Sequence, residues 1–240
     1  QSRVYNQTEA ETIGAGLGLI GVGVSLAYAD SGDNKDTQVT IGDNVGIEAG
    51  HNVTLDALSY NDATADTIAA AGGILSGAVN DGHATIKYNV NADISSGAVI
   101  TAGNEISVKA DSIVDGYSKS FGVSVGALAV AAQIAKTRIT SNVTASAGGN
   151  LNSRVLDIDA ILRPTSESAD AAYAEAKAGS GSLVGVTATN SLATITSDVT
   201  ASIKNNAIVR VSDEVSVNAT SNTQQNAKTS GITVGLLLAL

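Results

Sequence analysis

The sequence predicts an all-β fold, and within that class a parallel β-solenoid of about four to five repeats of roughly 53 residues. Three observations lead to this prediction. Apolar and polar residues alternate in short runs, related segments recur along the chain, and turns rich in Gly and Asn separate the runs. Aromatic residues make up only 3% of the chain, so small and β-branched side chains must fill the interior. Thin, regular layers suit that composition better than a rounded core.

Composition restricts the classes of function. The 240 residues carry a formal net charge of −10, which disfavours binding to a phosphate backbone. The absence of Cys excludes disulfides and thiolate metal sites. There is no Met and no basic segment before an apolar one, so we expect a processed or excised piece of a longer protein, with any signal peptide outside this sequence.

The repeats are visible as four related segments, three of them equal in length. They are residues 37–57, 90–110, 199–219 and a shortened copy at 143–160. Each closes on three apolar residues at alternate positions, the last of which is Ala; we call these the closing triplets. They begin at Val53, Ile106, Leu156 and Val215. The starts are 53, 50 and 59 positions apart, which sets the period at a little over fifty positions.

The first copy shows what each repeat contains. Its alternating pieces 37–41, 45–49 and 53–57 predict three short strands with one apolar face each. The intervening Gly-Asp-Asn and Gly-His-Asn predict tight turns, because Gly and Asn tolerate a positive φ. Each copy is therefore predicted to be strand, turn, strand, turn, strand.

Between the copies lie segments rich in Gly and Ala, which we expect to form long, flat, buried strands. They cover 13–29, 67–89, 120–142 and 179–198. The predicted repeats form one continuous domain over 1–240, divided approximately into 1–57, 58–110, 111–160, 161–219 and a partial 220–240. The sequence leaves open whether one repeat makes one wide coil or two to three narrower ones.

The segment Ile13–Ala29 also matches two other patterns. Gly16–Gly21 fits GxGxxG, but no helix pattern follows the glycines and the segment recurs in every repeat, which disfavours a dinucleotide loop. The equivalent segments carry polar residues and several glycines, which disfavours a membrane-spanning helix.

Candidate catalytic and metal-binding residues favour structural roles. Ser124 lies in a GxSxG match inside a strand-like run, whereas a nucleophile elbow requires a strand-to-helix turn. His51 and His83 each lie beside turn residues, so we expect them to be solvated. Four acidic residues form an acidic loop that resembles a calcium site but is not repeated. These residues are Asp30, Asp33, Asp36 and Asp43.

Outward-facing positions supply the remaining candidates. Aligning the repeats places Asp56, Lys109, Asp157 and Asn218 in one outward slot, whose charge varies from copy to copy. That variation favours a solvated face over the acidic cleft of a polysaccharide-cleaving β-helix. The exposed threonines do not form one regular column of the kind that orders water. N-glycosylation sequons occur at Asn6, Asn52, Asn142 and Asn218.

Gly/Ala-rich strands followed by VNADISSGAVITAGNEISVKADS, residues 90–112, resemble the repeats of large bacterial surface proteins. These are the filamentous-haemagglutinin-like and leukotoxin-type filamentous adhesins, exported by two-partner or autotransporter routes. The resemblance covers nearly the whole chain. It implies a β-solenoid stalk displayed outside a diderm bacterium, secreted or bound at the cell surface, and it supplies no catalytic residues.

We therefore expect a structural repeat segment of an extracellular filament or adhesin stalk, a stiff rod for adhesion or for fibre and biofilm assembly. We expect no enzymatic activity, no cofactor and no metal site. The expected partners are neighbouring repeats or identical subunits stacked end to end, together with surface glycans or proteins, and neither nucleic acid nor a membrane span is expected. The alternatives are a carbohydrate-active β-helix that binds or cleaves polysaccharide, and a module that binds a host surface directly.

Overall fold

The chain forms β-strands throughout the part that the structure describes. The structure is a computed structural model that describes the backbone of residues 1–166 and 170–239, and their side chains except at 33–35 and 236–239. Within these residues the all-β prediction is confirmed, because the chain contains ten strands and no helix. The strands are β1 (Ser2–Leu17), β2 (Ile20–Ile41), β3 (Gly46–Ala49), β4 (Asn52–Ile94), β5 (Val99–Ala102), β6 (Glu105–Ala147), β7 (Asn150–Pro164), β8 (Ala172–Ile203), β9 (Ile208–Ser221) and β10 (Gln225–Ala239).

The strands pair in parallel, each with its counterpart from the next repeat. β4 and β6 keep one register over almost their whole length, from the pair Asn52–Glu105 to the pair Ile94–Ala147. The predicted stacking of the closing triplets is confirmed, because each triplet pairs with the next one along the chain. The stacked residues are Val53 on Ile106, Ile106 on Leu156 and Leu156 on Val215. Because neighbouring strands are one repeat apart, each repeat contributes a single layer to the stack, and we call this layer a pass.

Each pass contains two long arms and a short side. In the second repeat the chain runs along the first half of β4, reverses its direction near Gly73–Ile74, and returns along the second half of the same strand. We call the stacked first halves the outbound sheet and the stacked second halves the return sheet. The short side is β5, which continues into the next long strand. The corresponding reversals lie at Gly18–Leu19, Gly126–Ala127 and Ser182–Leu183.

The turns at the short side follow the predicted chemistry. Asn44, in the Gly-Asp-Asn turn, has φ = 60°, and Asn206 in the fourth repeat has φ = 64°. The Asp43 carboxylate accepts a hydrogen bond from the backbone N–H of Gly97 at 2.8 Å, which joins the turns of successive repeats. The turn positions therefore repeat along the axis as the strands do.

The fourth repeat begins with an irregularity near Pro164. β6 pairs with β7 up to Pro164, which lies opposite Val114, and it then pairs with β8 from Ala172 onwards, which lies opposite Gly116. A Pro has no N–H to donate to a parallel neighbour, so it suits the end of β7. The eight positions from Pro164 to Ala172 therefore correspond to only two positions on β6, and the register of the return sheet is kept.

The interior differs between the two ends of each pass. Near the short side, which we call the wide region, large aliphatic side chains are fully buried. They include Ile86, Ile94, Ile100, Ile106, Ile139, Leu151, Leu156 and Ile158. Near the reversal, which we call the narrow region, the buried side chains are Ala, Ser, Thr, Asn and Gln. The predicted long strands over the Gly/Ala segments are present, but only their inward-facing half is buried, because their large apolar residues point outward.

Candidate functional site

The most unusual surface of the molecule is an apolar edge that wraps around the reversal. The outward positions nearest the reversal carry apolar residues or Gly on both sheets of the first four repeats. In the first repeat Leu17 and Leu19 are 87% and 76% exposed, and in the second Ile74 is 57% exposed. We define the apolar edge by its exposed members Ile13, Leu17, Leu19, Ile20, Val22, Val24, Ile68, Ile74, Leu75, Val79, Phe121, Val125, Leu128, Val130, Leu183, Val184 and Val186.

These side chains stack in columns along the axis. On the return sheet Ile20, Leu75, Leu128 and Val184 are successive partners in register. A shallow depression of about 260 Å³ follows this column, and its wall is almost wholly apolar and open to solvent. The column therefore offers a continuous hydrophobic strip and no enclosed pocket.

The inner side of the edge is closely packed, with small and hydrogen-bonded side chains. A Cβ added to Gly14 or Gly16 would fall against the backbone of Val24 or Val22 on the facing sheet. Ser76 and Ser124 share a hydrogen bond of 2.7 Å between their hydroxyl oxygens across the interior. Because the two sheets approach this closely, large side chains are confined to the outer surface.

Polar groups further inside the narrow region bond to the backbone of the opposite sheet. The Asn80 amide of the return sheet donates to the Phe121 carbonyl oxygen of the outbound sheet at 2.6 Å. In the opposite direction, the Ser118 hydroxyl of the outbound sheet donates to the Gly82 carbonyl oxygen of the return sheet at 2.7 Å. Both side chains are completely buried. These bonds fix the separation of the sheets without a large apolar core.

A basic groove lies on the return sheet beyond the apolar edge. It encloses about 310 Å³, and its polar lining is His83, Thr85, Lys136, Thr137, Arg138 and Thr194. His83 is inside β4 and half-buried, so the expectation that it lies solvated beside a turn is wrong. Its ring packs edge-on against Tyr28 at 5.0 Å, and its Nε2 lies 2.7 Å from Asp81. The Tyr28 hydroxyl donates to Asp81 at 3.0 Å, and this bond raises the pKa of Tyr28.

A second groove, of about 340 Å³, lies on the outbound sheet. Its charged lining residues are Glu11, Asp66, Lys119 and Lys177. Glu11, Asp66 and Lys119 are successive partners in register, and Glu175 continues this column in the fourth repeat. Burial raises the pKa of Asp66, while the Lys119 ammonium acts in the opposite direction. The groove therefore combines a half-buried carboxyl group with neighbouring charges of both signs.

The structure places the residues of the two short motifs inside strands. Ser124 is completely buried within β6 and bonded to Ser76, so its hydroxyl group is not presented to a substrate. Gly16 lies near the end of β1, and β2 begins at Ile20 as a strand. Within the described ranges, neither the GxSxG match nor the GxGxxG match has the helix that its motif requires.

The prediction of a solvated acidic loop is right about exposure at the described aspartates and wrong about local structure. Asp30 and Asp36 are exposed on β2, and Asp43 lies in the turn that follows. The side chain of Asp33 lies outside the described residues. Among the described residues, no three His, Asp or Glu side chains are grouped so that they would hold a metal ion. His51 is exposed in a turn, as expected.

The outward slot differs from the sequence alignment in the third repeat. Asp56 pairs with Lys109 as predicted, but Lys109 then pairs with Asp159 and not with Asp157. Asp159 pairs with Asn218, which completes the column. Asp157 faces outward two residues earlier, and burial, followed by the nearby Asp159 carboxylate, raises its pKa.

The sequon asparagines differ in exposure. Asn6 is half-buried and donates to the Asn61 side chain at 2.7 Å. Asn52, Asn142 and Asn218 are exposed, and each takes part in a hydrogen bond with a side chain of a neighbouring repeat.

Sequence reasoning missed both grooves and the apolar edge. Their residues come from different repeats, and they meet only when the sequence is written as strands stacked one repeat apart. That arrangement was available once the period was known, and it shows that outward positions near each Gly-rich reversal are apolar. The missing step was to assign inward and outward faces to the Gly/Ala segments.

Comparison with family models, curated proteins and solved structures gives no match for this chain. Among the described residues, no helix is long and apolar enough to cross a membrane.

Proposed function

We propose that this chain is a stiff β-solenoid segment of an extracellular bacterial surface filament or adhesin stalk. The observation that supports the proposal is the parallel register between successive repeats, which between β4 and β6 extends from Asn52–Glu105 to Ile94–Ala147. In such a ladder the main-chain hydrogen bonds between strands run along the stacking axis. Bending or stretching the rod would strain many of these bonds together, so a stacked chain transmits force as one body.

Side-chain ladders add to this stiffness. The Asn89 amide donates to Asp36 at 2.7 Å, and the Asn142 amide donates to Asn89 at 3.0 Å, so three repeats are joined on one outer column. Tyr117 and Tyr173 stack with ring centroids 5.2 Å apart and nearly parallel planes. Such contacts between identical or similar residues are those that stacked repeats favour.

The proposed role places the segment outside the cell, as the resemblance to filamentous adhesins implies. The acidic balance, with a net charge of −10, keeps rods apart in solution and opposes unspecific lateral aggregation. In this role the partners are further repeats or identical subunits that continue the stack at either end.

Tandem fusions of two and four copies of the chain test this proposal. Each copy adds four to five stacked strands, so it should lengthen the particle by about 20–25 Å at a constant cross-section. Cryo-electron microscopy measures the length, the cross-section and the strand spacing of about 4.8 Å along the particle axis. Copies that fold as separate bodies on a flexible connection, or strands that run parallel to the particle axis, contradict the rod.

A carbohydrate-active β-helix is a second candidate, favoured by the outbound groove. Glu11 and Asp66 are adjacent in register there, and the raised pKa of Asp66 is a property of a general acid. Release of reducing ends from acidic or neutral polysaccharides, abolished in Asp66→Asn, supports this candidate. Binding without cleavage supports a carbohydrate-binding module, and the absence of both activities eliminates the candidate.

A further inference from the structure

The apolar edge has a similar depth on both sheets. On the outbound sheet of the first three repeats, the charged outward residues nearest the reversal are Glu11, Asp66 and Lys119, each seven positions before it. On the return sheet of the second and third repeats they are Asp81 and Lys136, seven and nine positions after it. In the second and third repeats the two faces and the reversal between them thus form one apolar wedge, whose charged boundary lies seven to nine positions from the reversal on both sheets.

On the outbound sheet the fourth repeat keeps this boundary at Glu175, although one cation lies closer to the reversal. Lys177 is five positions before the reversal on the outbound sheet. Its ammonium lies 2.6 Å from the Glu175 carboxylate, which is at the level of the boundary. The charge of Lys177 is therefore directed away from the wedge, as long cationic side chains allow.

Because apolar side chains cover two opposite faces, few kinds of partner can cover the whole wedge. A second copy packed face to face would cover one sheet and leave the other sheet and the reversal in water. With four strands about 4.8 Å apart and about six residues in depth, one face offers roughly 400 Å². That is about half of the area per partner in a standard stable interface. Only an occupant that surrounds the wedge covers both faces and the reversal together.

Tyrosines and basic side chains mark the polar boundary. Tyr117 and Tyr173 lie nine positions before the reversal on the outbound sheet, and Tyr28 lies nine positions after it on the return sheet. Lys119 and Lys136 lie at similar depths on the two sheets. Amphipathic aromatic rings and long cationic side chains are the groups that favour the junction between hydrocarbon and water.

The backbone of the wedge also suits an apolar environment. The second and third repeats have parallel partners on both sides, so their N–H and C=O groups are bonded without water. The inward polar side chains, such as Ser76, Asn80 and Ser124, are already removed from water in the folded chain. The free energy of transferring such a segment into hydrocarbon is therefore dominated by its apolar outer side chains.

From these observations we infer that the apolar edge inserts into one leaflet of a lipid bilayer, with the rod lying along the membrane surface. The wedge is about five to six residues deep, or roughly 17–20 Å, and half of a hydrocarbon core is about 15 Å. The ligand chemistry is that of zwitterionic phospholipid, because a chain of net charge −10 is repelled by an anionic surface. This inference does not rest on the rod's role as a stalk, because it concerns the surface of this chain alone.

Vesicle flotation with phosphatidylcholine vesicles tests the inference on the full 240-residue chain. Ile74→Asp puts a charge at the reversal, where the side chain is 57% exposed, and Val99→Asp is the matched control on the short side of the same pass, 51% exposed. We expect the vesicle-bound fraction to fall at least about tenfold in Ile74→Asp and to stay unchanged in Val99→Asp. Equal losses in both variants, or no binding by the parent chain, overturn the inference.

A second measurement is independent of the charge substitution. The chain contains no Trp, so Ile74→Trp introduces a single fluorescent reporter at the edge, and Val99→Trp places one on the short side. We expect brominated phosphatidylcholine to quench the emission of Ile74→Trp and to leave that of Val99→Trp unchanged. The reverse pattern, or no quenching of either, contradicts insertion.

Two further outcomes would assign the edge to other occupants and overturn the inference. One is a dimer in sedimentation equilibrium without lipid that Ile74→Asp dissociates, with no vesicle binding by the parent chain. The other is binding only to vesicles that contain phosphatidylglycerol, lost at high salt, which would indicate attraction to Lys136 and Arg138. Weaker binding to vesicles with phosphatidylglycerol than to pure phosphatidylcholine supports the inference.

Discussion

The wide and narrow regions of each pass share one backbone ladder but have opposite side-chain patterns. In the wide region Ile106, Leu156 and their neighbours point inward and form an aliphatic core. In the narrow region the inward residues are small or polar, and the large aliphatic residues point outward. Parallel pairing alone therefore does not determine which face is apolar. The separation of the two sheets determines it, because closely spaced sheets have no room for a large side chain between them.

The difference also separates two sources of stability. The wide region gains free energy by removing aliphatic surface from water. The narrow region buries little apolar area and depends on backbone pairing, close contact between sheets and hydrogen bonds such as that of Asn80 with Phe121. Substitutions that are costly in one region should therefore be mild in the other.

Truncation of a large aliphatic residue gives the largest expected contrast. Leu156 is completely buried in the wide region, so Leu156→Ala should lower the free energy of unfolding by about 2–5 kcal/mol. Ile74→Ala, on the exposed edge, should change it by less than about 0.5 kcal/mol. Urea denaturation followed by circular dichroism measures both. Similar losses in the two variants would mean that the edge is covered in the folded protein.

Addition of a methyl group to glycine should produce a smaller effect, and in the narrow region this effect should depend on whether the glycine faces inward or outward. A Cβ at Gly16 would meet the backbone of Val22, so Gly16→Ala should destabilise the chain by about 1–3 kcal/mol as the sheets separate. Gly77 has no atom near the position of an added Cβ, so Gly77→Ala is the matched control. Thermal unfolding should show a lower midpoint only for Gly16→Ala. An unchanged midpoint in both variants would contradict close contact between the sheets.

The strands and their register could be predicted from the sequence because both depend on local patterns. Alternation around Val53, Ile106 and Leu156 marks one buried face, and a parallel stack needs only the period to align these positions. The turn at Asn44 was predictable for the same reason, since its residue type matches its backbone conformation.

The assignment of Asp157 to the outward slot was wrong although the triplets contain the correct answer. Leu156 stacks on Ile106, which places Asp159 and not Asp157 beside Lys109. Both aspartates alternate with apolar residues and both face outward, so the local pattern around each is the same. Only strict counting from the stacked triplet distinguishes them.

The surfaces could not be predicted from one repeat. Tyr28 and His83 are in different repeats and meet only through the stacking of β2 on β4. The apolar edge has the composition of a buried strand, and we expected it in the interior for that reason. Its exposure follows from the packing of Gly14 and Gly16 against the facing sheet, a long-range contact that composition does not encode.

The dependence of stability on pH should show the smallest effect. It compares a carboxyl group in the outbound groove, Asp66, with one beside the wide region, Asp157. Burial raises the pKa of Asp62, Asp66 and Asp115 on the outbound sheet, and of Asp157 beside the wide region. A carboxyl group whose pKa is higher in the folded than in the unfolded state binds more protons when folded. Its favourable contribution to the free energy of unfolding is therefore complete below the ordinary pKa of 3.8. That contribution is lost as the pH rises through the raised pKa of the folded state.

We accordingly expect the unfolding midpoint to rise as the pH is lowered from neutral towards 3.8, the ordinary pKa of these carboxyl groups. Differential scanning calorimetry at fixed ionic strength measures how steeply the unfolding midpoint changes with pH. Asp66→Asn and Asp157→Asn should each flatten this slope, because each removes one group that takes up a proton in the folded state. If only Asp157→Asn flattens the slope, Lys119 keeps Asp66 ionised, and the outbound groove is a stable ion pair. A midpoint that falls on acidification in the parent chain would contradict the burial of all four carboxyl groups.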